Sequence, residues 1–342
     1  MCTFRRLPAE WEEQDGVLLA WPHAKTDWAD SLDEVIGVYC ELVRAISRFE
    51  RVVIIGPNPG GIRASLSKMN IDLTKVMIIK AMTNDTWCRD FGPITVISIN
   101  YAEHLDFGFN GWGLKFLANH DNQINTVLIE SGILAGRHTR PGLILEGGSI
   151  ESDGQGTLLT TTTCLLEPNR NPHLSRAEIE SRLKQLFNLQ HLLWLEHGYL
   201  SGDDTDSHID TLARLAPNNT ILYVNCNDTQ DEHFSELQSM KQQLQSFRTI
   251  DHEPFRLLPL PWPAPIYDNN GKRLPATYAN FLVINQAILV PTYNDPADSN
   301  ALQVVASAFP QREVVPIDCR YLIEQHGSLH CVTMQLPKGS LK

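Results

Sequence analysis

Two short clusters in the sequence place carboxylates where they could hold a buried cation. Trp87 and Asp90 stand before a Gly-Pro turn at the entrance of a predicted strand, so the carboxylate could bind a cation beside an indole face. Glu146 lies between an apolar stretch and two glycines, although a lone glutamate is almost never buried without a partner. The glycines would let the backbone or a ligand approach closely. The alternatives are a turn residue paired with Arg89 and a surface glutamate at a bulge.

A third cluster ends in His208-Ile209-Asp210. If this end is extended, His208 and Asp210 face the same side, and a histidine beside a carboxylate is suited to general acid–base catalysis. Asp204 and Asp206 continue the alternation, so a metal site is a competing interpretation. No HxH or HExxH pattern completes a ligand set in the sequence. A solvated acidic loop is the third interpretation.

The fourth cluster contains Cys331 at the start of a predicted apolar strand, after a glycine-containing turn. A cysteine in such a place is usually part of the packing. However, a nucleophile and its base need to be adjacent in space rather than in sequence, and His208 supplies a base. We therefore interpret Cys331 as a candidate nucleophile. His330 would point to the opposite face of the strand, and we interpret it as structural.

Composition limits the classes of protein that fit these clusters. The 342 residues carry a formal charge of −12, which disfavours nucleic acid and anionic membranes and mildly suits a cationic substrate. No apolar run reaches the roughly 18 residues of a membrane span, and no secretory pattern is visible, so we expect a cytoplasmic location. The seven cysteines are scattered without a CxxC, which argues against a disulfide framework or a zinc ribbon.

Repeating secondary structure could bring the four clusters together. Apolar residues at three-and-four spacing predict five amphipathic helices. They cover residues 30–47, 119–134, 175–187, 231–244 and 298–309. Asp30, Asn119, Ser175 and Asp298 are candidate helix caps. A short apolar strand follows most helices, and strand–turn–strand units precede the later ones, which gives a strand, strand, helix, strand repeat of roughly 55 to 80 residues.

Such units cannot bury their cores alone, so several must pack together, and radial packing would turn one end of each towards a common centre. An ordinary doubly wound α/β sheet is the alternative, but it expects single strands between helices.

The chain resembles the agmatine deiminase and bacterial peptidylarginine deiminase family. The resemblance runs from residue 8 to about residue 337. It is carried by Trp87-x-Arg89-Asp90-x-Gly92-Pro93, Glu146-Gly147-Gly148, His208-x-Asp210, Tyr278-x-Asn280-Phe281 and Gly327-x-x-His330-Cys331. It implies an α/β fold, the five-bladed α/β propeller (pentein) of ββαβ units with pseudo-five-fold symmetry. Residues 1–342 would form a single guanidino-hydrolase propeller domain.

The resemblance also assigns roles to the clustered residues. Cys331 would be the nucleophile and His208 the proton shuttle, while Asp90 and Asp210 would bind the guanidinium group. Glu146 would lie in the substrate pocket, Trp87 would line it, and Asn280 would support it. No metal and no organic cofactor is required by this chemistry.

The expected reaction is hydrolysis of agmatine to N-carbamoylputrescine and ammonia through a covalent cysteine intermediate, by a homo-oligomer without nucleic-acid or membrane partners. Alternatives are a peptidylarginine deiminase, an amidinotransferase, a metal-dependent hydrolase and a catalytically inactive binding propeller. Ser207, Thr211 and His326-Gly327-Ser328 depart from the family pattern, and they bear on how the tail of the substrate fits.

Overall fold

The computed structural model describes residues 5–342, and within them the strands form five small sheets. In every sheet one antiparallel strand pair is joined by a parallel strand that returns after a helix. This is the ββαβ unit, repeated once per sheet. The prediction of a five-bladed α/β propeller is confirmed, and the doubly wound sheet is wrong because each helix is preceded by paired strands. We call the sheets blades 1 to 5.

The strands of blades 1 and 2 come from the two ends and the first third of the described chain. Blade 1 contains Gln14–Ala20, Arg51–Gly56, Val76–Lys80 and Thr333–Pro337. Blade 2 contains Arg5–Arg6, Ile94–Ser98, Ala102–Leu105 and Arg137–Thr139. Thr333–Pro337 pairs antiparallel with Gln14–Ala20, so blade 1 joins the last described strand to an early one.

Blades 3 to 5 follow in chain order, with three strands each. Blade 3 contains Ile150–Ser152, Thr157–Thr161 and His191–Leu195. Blade 4 contains Ala213–Ala216, Thr220–Val224 and Arg256–Leu260. Blade 5 contains Leu282–Ile284, Ala287–Thr292 and Glu313–Asp318.

All five predicted helices form, and they connect the paired strands of the blades. They are Leu32–Ser47, Ile124–Glu130, Arg176–Phe187, Phe234–Ser246 and Asp298–Ala308. The other helical segments are Pro59–Lys68, Cys88–Phe91, Gly111–Leu114, Thr162–Leu165 and Arg320–Ile323. Short 3-10 turns are Ala29–Ser31, Asp121–Gln123, Gly147–Ser149 and Ile209–Thr211.

Of the four predicted caps, only Ser175 is confirmed. Its hydroxyl accepts a hydrogen bond from the Glu178 backbone N–H, and the Glu178 carboxylate accepts one from the Ser175 N–H in return. The caps at Asp30, Asn119 and Asp298 are wrong because the helices begin elsewhere. Asp298, for example, is the first helical residue, and its carboxylate accepts from the Tyr278 hydroxyl at 2.8 Å.

The core lies between the blades' strands and the helices on them. In Leu32–Ser47, apolar residues three and four apart are buried, as the spacing predicts. The six described cysteines are buried and free, while Cys2 lies outside the described residues. Across residues 5–342, no helix combines the length and the apolar character that a bilayer span requires.

Candidate active site

The predicted chemical residues stand at equivalent places in the five blades. Asp90, Glu146, Asp210, Asn280 and Cys331 each lie within about four residues of the first strand of a different blade. The clusters therefore occupy corresponding positions in the blades, and groups that are far apart in sequence meet, as Asp90, His208 and Asp210 do around Gly148.

A cavity of about 580 Å³ opens beside these residues of the propeller, and its lining includes Trp87, Asp90, Trp112 and Cys331. Glu146, His208, Asp210 and Asn280 are fully buried and are not part of the lining. The site thus has an accessible group of residues and a buried group that supports it.

Three of these side chains surround the α-carbon of Gly148. A methyl group at this position would lie 2.6 Å from Nδ1 of His208, 2.9 Å from Oδ1 of Asp90 and 3.1 Å from Oδ2 of Asp210. Real Cβ contacts are not this short, so only glycine fits. The expectation that the glycines after Glu146 permit a close approach is confirmed, and what approaches is the candidate catalytic group itself.

His208 lies between two carboxylates. Its Nδ1 is 3.6 Å from Oδ1 of Asp90 and its Nε2 is 3.6 Å from Oε2 of Glu146. Among the described residues Nε2 has no hydrogen-bond partner. Burial alone would lower the pKa of His208, but the negative charge of Asp90 and the contact with Glu146 outweigh it and raise the pKa well above its usual value. These charges therefore favour the protonated imidazole, which can act as an acid.

Asp90 is held by two donors. Its Oδ1 accepts from the Gly148 backbone N–H and its Oδ2 accepts from Nε1 of Trp112, both at 2.9 Å. Burial raises the pKa of Asp90 to about 6, against the opposing effect of His208. Arg89 points away, because its Nε donates to the His330 carbonyl at 3.3 Å. The alternative in which Asp90 is a turn residue paired with Arg89 is wrong.

Glu146 is paired with a buried arginine. Nε of Arg170 lies 2.8 Å from Oε2 of Glu146, and Nη1 of Arg170 lies 2.7 Å from Oδ2 of Asp206. Burial would raise the pKa of Glu146, but His208 and Arg170 hold it below its usual value. Glu146 is therefore an ionised group that faces His208, and it is not the surface glutamate of the alternative interpretation.

The backbone around Cys331 is fixed by Asn280. Oδ1 of Asn280 accepts from the His330 N–H at 2.9 Å and from the Cys331 N–H at 3.3 Å, and it lies 3.4 Å from the sulfur. Burial, together with the charges of Asp210 and Asp90, raises the pKa of the Cys331 thiol well above its usual value. Burial and these charges therefore favour the neutral thiol, and compensation of the charges would favour the thiolate.

The local geometry of His208 and Asp210 differs from the prediction. Residues Ile209–Thr211 form a 3-10 turn rather than an extended strand, and the Thr211 hydroxyl donates to the His208 carbonyl at 2.8 Å. The shared face comes from this turn and not from strand alternation. Asp210 is fully buried, and the charge of His330 and the bond that it makes keep the pKa of Asp210 low in spite of burial.

Within residues 5–342, two groups of side chains have ligand atoms close enough to hold a metal ion: Glu146 with Cys164 and His208, and Glu10 with Glu151 and His330. Each already contains a guanidinium, since Arg170 contacts the first and Arg214 the second. These cations oppose a metal ion electrostatically. The predicted alternating set does not converge, because Asp206 bonds Arg170 and Lys115.

Sequence reasoning did not assign three residues of the site. Trp112 bonds Asp90, Arg170 bonds Glu146, and the sulfur of Cys164 lies 3.9 Å from Oε2 of Glu146. The stretches Phe109-Asn110-Gly111-Trp112-Gly113 and Asn169-Arg170-Asn171-Pro172 also resemble the family, and they were the available signal for Trp112 and Arg170. Nothing in the sequence distinguishes Cys164 from a cysteine that only packs.

Comparisons with known proteins agree with this geometry. The profile of the Porphyromonas-type peptidyl-arginine deiminases matches residues 6–337. The agmatine deiminase of Pseudomonas fluorescens is 32% identical over an alignment of 354 residues including gaps, which covers 97% of this chain and 95% of that protein. A C. jejuni agmatine deiminase structure with substrate bound is 39% identical, with a TM-score of 0.91 over 99% of this chain and 98% of that one. A Porphyromonas gingivalis structure, named only provisionally as an arginine deiminase, is 47% identical with a TM-score of 0.94, over 99% and 100% of the two chains.

Proposed function

Because this chain belongs to the family of Porphyromonas-type peptidyl-arginine deiminases, we propose that it hydrolyses the guanidinium group of agmatine to N-carbamoylputrescine and ammonia. The observation that carries the proposal is the convergence of His208, Asp90 and Asp210 on Gly148, beside a cavity whose lining contains Asp90 and Cys331. The full-length similarity to agmatine deiminases supports the same reaction. The product is a carbamoyl derivative of putrescine, so the reaction belongs to polyamine biosynthesis.

Binding of the guanidinium group is the task of the carboxylates. Oδ1 of Asp210 is buried and has no hydrogen-bond partner among residues 5–342, so it is available to a donor on the substrate. Asp90 carries a pKa that burial raises to about 6, and a cation beside it would favour its ionised form. Two carboxylates that receive charge-assisted bonds would orient the planar group and compensate its charge.

Attack by Cys331 depends on this binding. The thiol carries a raised pKa because of burial and of the charges of Asp210 and Asp90. When the substrate's cation compensates those charges, the thiol loses its proton to water more readily, and the thiolate adds to the guanidinium carbon. The S–C bond forms and one C–N bond becomes single in a tetrahedral adduct. The geometry thus couples the formation of the nucleophile to the presence of the substrate.

His208 then acts as the acid. It gives its proton to the nitrogen that leaves, the C–N bond breaks and ammonia departs, so that an S-alkylthiouronium group remains on Cys331. Neutral His208 next accepts a proton from water, whose oxygen adds to the same carbon. Collapse of this second adduct breaks the C–S bond and releases the ureido product with the thiolate. Every proton passes between groups of this chain, substrate and water.

The charges of the cavity favour agmatine over free arginine. The acidic side chains in the lining are Asp27, Asp85, Asp90, Asp121, Asp203 and Asp204. Of its two lysines, Lys115 already donates to Asp206 at 2.7 Å. The buried Arg170 and Arg214 are committed to glutamates. Among the described residues Lys25 is then the one arginine or lysine of the lining without a carboxylate partner, against six aspartates. An α-carboxylate would therefore enter a negative cavity, whereas the distal ammonium of agmatine would be attracted.

Peptide arginine is the second candidate substrate. The family profile and the more similar of the two structures carry names that point to arginine or peptidyl-arginine. A peptide has no α-carboxylate at an internal arginine, so the charge argument against free arginine does not apply to it. The experiment must therefore separate a small amine from a peptide.

The test is ammonia release from agmatine, free arginine and an arginine-containing peptide, each with wild type and with Cys331→Ala. We expect release from agmatine alone and none with the variant. Release from the peptide but not from agmatine would contradict the proposed substrate and keep the chemistry. Release that survives in Cys331→Ala would contradict the covalent mechanism.

Assembly and location belong to the same proposal. The family resemblance supports a homo-oligomer, which light scattering on the purified protein would measure. The six free, buried cysteines of the described chain fit a reducing compartment and so support a cytoplasmic location.

A further inference from the structure

His330 is buried between two carboxylates. Its Nδ1 lies 2.8 Å from Oδ2 of Asp210, and its Nε2 lies 2.7 Å from Oε2 of Glu10. An ionised carboxylate only accepts hydrogen bonds, so the Nδ1–H of the ring donates to Asp210. Nε2 also lies 3.1 Å from Nη2 of Arg214, so the ring is enclosed by two carboxylates and a guanidinium group. The interpretation of His330 as merely structural does not account for its bond to Asp210.

Glu10 is itself rigidly held. Its Oε1 accepts from the Val283 backbone N–H at 2.7 Å, and its Oε2 lies 3.0 Å from Nη2 of Arg214. Arg214 in turn donates to Glu151 and to the Ala279 carbonyl, the latter at 3.0 Å. His330 thus cannot rotate without breaking bonds that reach into blades 3, 4 and 5. The network fixes the direction in which Nδ1 of His330 points.

The hydrogen bond from His330 makes the two oxygens of the Asp210 carboxylate different from each other. Oδ2 receives the imidazole N–H, while Oδ1 is fully buried and has no hydrogen-bond partner within residues 5–342. A buried carboxylate oxygen without a partner costs free energy, and a guanidinium N–H would remove this cost. His330 therefore determines which oxygen is left for the substrate.

The same residue is adjacent to the candidate nucleophile. The backbone N–H groups of His330 and Cys331 both donate to Oδ1 of Asn280, at 2.9 and 3.3 Å. The peptide that carries the sulfur and the ring that holds the carboxylate are therefore parts of one fixed segment. The distance between the attacking sulfur and the bound carbon is set by this segment.

We propose that His330 is a positioning residue for the reaction: its Nδ1 orients the Asp210 carboxylate towards the guanidinium group, and Glu10 and Arg214 hold the ring in place through Nε2. The inference rests on the proposed function, because it gives Asp210 the task of binding a guanidinium. It also assigns an indirect role to Glu10 and Arg214, which hold the His330 ring and so help to orient Asp210.

Two amide variants separate positioning from a structural role. The side-chain nitrogen of asparagine overlaps Nδ1 of histidine, and that of glutamine overlaps Nε2. His330→Asn therefore keeps a donor to Asp210 and loses the nitrogen that contacts Glu10, whereas His330→Gln does the reverse. Thermal unfolding and steady-state kinetics are measured on both, and each substitution is also made in Cys331→Ala, where binding of methylguanidinium is measured by calorimetry.

We expect the two variants to rank in opposite orders in the two measurements. His330→Gln should raise KM for agmatine, and Kd for methylguanidinium, about tenfold to a hundredfold, while His330→Asn changes them about threefold or less. His330→Asn should have the lower melting temperature, because asparagine has no nitrogen at the position of Nε2, which contacts Glu10 and Arg214. If KM and Kd follow the melting temperatures, or differ less than twofold between the variants, His330 is not a positioning residue.

The two readouts also separate this inference from the proposed function. Methylguanidinium binding that depends on the Asp210-facing donor, without ammonia release from agmatine, would overturn the proposed substrate and support the role of His330. Ammonia release from agmatine, with a KM that is the same whether or not the donor to Asp210 is present, would support the proposed substrate and overturn the role of His330. If wild type and Cys331→Ala bind no guanidinium compound at all, both are overturned.

Discussion

Oδ1 of Asp90 lies 3.6 Å from Nδ1 of His208, and each of these buried groups shifts the pKa of the other. Burial alone would neutralise both, whereas together they favour an ion pair of imidazolium and carboxylate. The pair favours the protonated form of His208, which is buried, beside a carboxylate that lines the cavity. It also places the ionisation of Asp90 close to the working pH.

Trp112 controls that ionisation, which leads to a pH prediction. Its indole N–H bonds the Asp90 carboxylate at 2.9 Å and stabilises the ionised form, while burial raises the pKa of Asp90 to about 6. Activity should therefore fall as the pH drops below about 6. Trp112→Phe removes the donor, so the acid limb of the kcat/KM profile should move to higher pH by about 0.5 to 1 unit. An unmoved or lowered limb would contradict the assignment to Asp90.

Gly148→Ala should disable the site without unfolding the protein. The new methyl group would meet Nδ1 of His208 at 2.6 Å and Oδ1 of Asp90 at 2.9 Å. We expect kcat/KM to fall at least about a hundredfold, since displacements of about 1 Å have such effects, with a stability loss of about 1–3 kcal/mol.

Gly37→Ala is the matched control, because nothing lies within 4 Å of a methyl group there and the residue is inside the helix Leu32–Ser47. It should keep full activity and raise the melting temperature slightly. Full activity in Gly148→Ala would mean that the three side chains are not held in their described positions during catalysis.

Cys331→Ser should bind substrate and fail to turn it over. The hydroxyl is nearly the same size as the thiol but is a far weaker nucleophile, so kcat should fall more than about a thousandfold while calorimetry still detects agmatine binding. Cys226→Ser is the control, since Cys226 is also buried and free, and within the described chain the one hydrogen-bond contact of its sulfur is with the Asp228 carbonyl, at 3.7 Å. Equal losses in both variants would point to a folding defect.

Salt should weaken the capture of agmatine. The cavity lining carries six aspartates, so its attraction for a dication is electrostatic and is screened by ions. We expect KM for agmatine to rise severalfold between about 0.01 M and about 1 M salt while kcat changes little. A KM that is insensitive to salt would show that the acidic lining does not select the substrate.

Glu50 offers a stability prediction outside the site. It is 5% exposed, and burial raises its pKa from 4.5 to about 7, although its Oε2 accepts from the Asn285 N–H at 2.8 Å. Because the folded-state pKa is the higher one, the favourable contribution of the protonated group is full below pH 4.5 and is lost as the pH rises through about 7.

Glu50→Gln removes this pH dependence. At pH 8 the variant should be more stable by about 2 kcal/mol, and at pH 4.5 the two proteins should melt alike, with activity unchanged. Thermal unfolding at the two pH values measures the difference. Equal melting temperatures at pH 8 would contradict the raised pKa of Glu50.

The ring and the chemical residues could be predicted from sequence because both depend on local pattern. Helical spacing and hairpin turns indicated the repeat, and short motifs contained His208, Asp90 and Cys331. The insertion Pro59–Lys68 in blade 1 was missed, since only Ile62 and Leu66 are buried on it and its apolar pattern is weak. A local pattern indicates that a segment has an apolar face or a polar group to be covered, but it does not indicate which distant segment makes the contact.

That limit explains the contacts that were missed at the site. The bond between Arg170 and Glu146 joins residues 24 positions apart, and the one between His330 and Glu10 joins residues 320 positions apart. In both pairs, the sequence around one residue does not indicate which residue is its partner. The 3-10 turn at Ile209–Thr211 was missed for a different reason, since its form is set by one side-chain bond from Thr211 to the His208 carbonyl.

The strand Thr333–Pro337, which completes blade 1 by pairing with Gln14–Ala20, follows Cys331 after a single residue. During synthesis, therefore, the sulfur leaves the ribosome after the segments that carry the carboxylates and His208. A nascent chain that ends before Cys331 has neither the attacking group nor the strand that pairs with Gln14–Ala20, so it cannot carry out the covalent step.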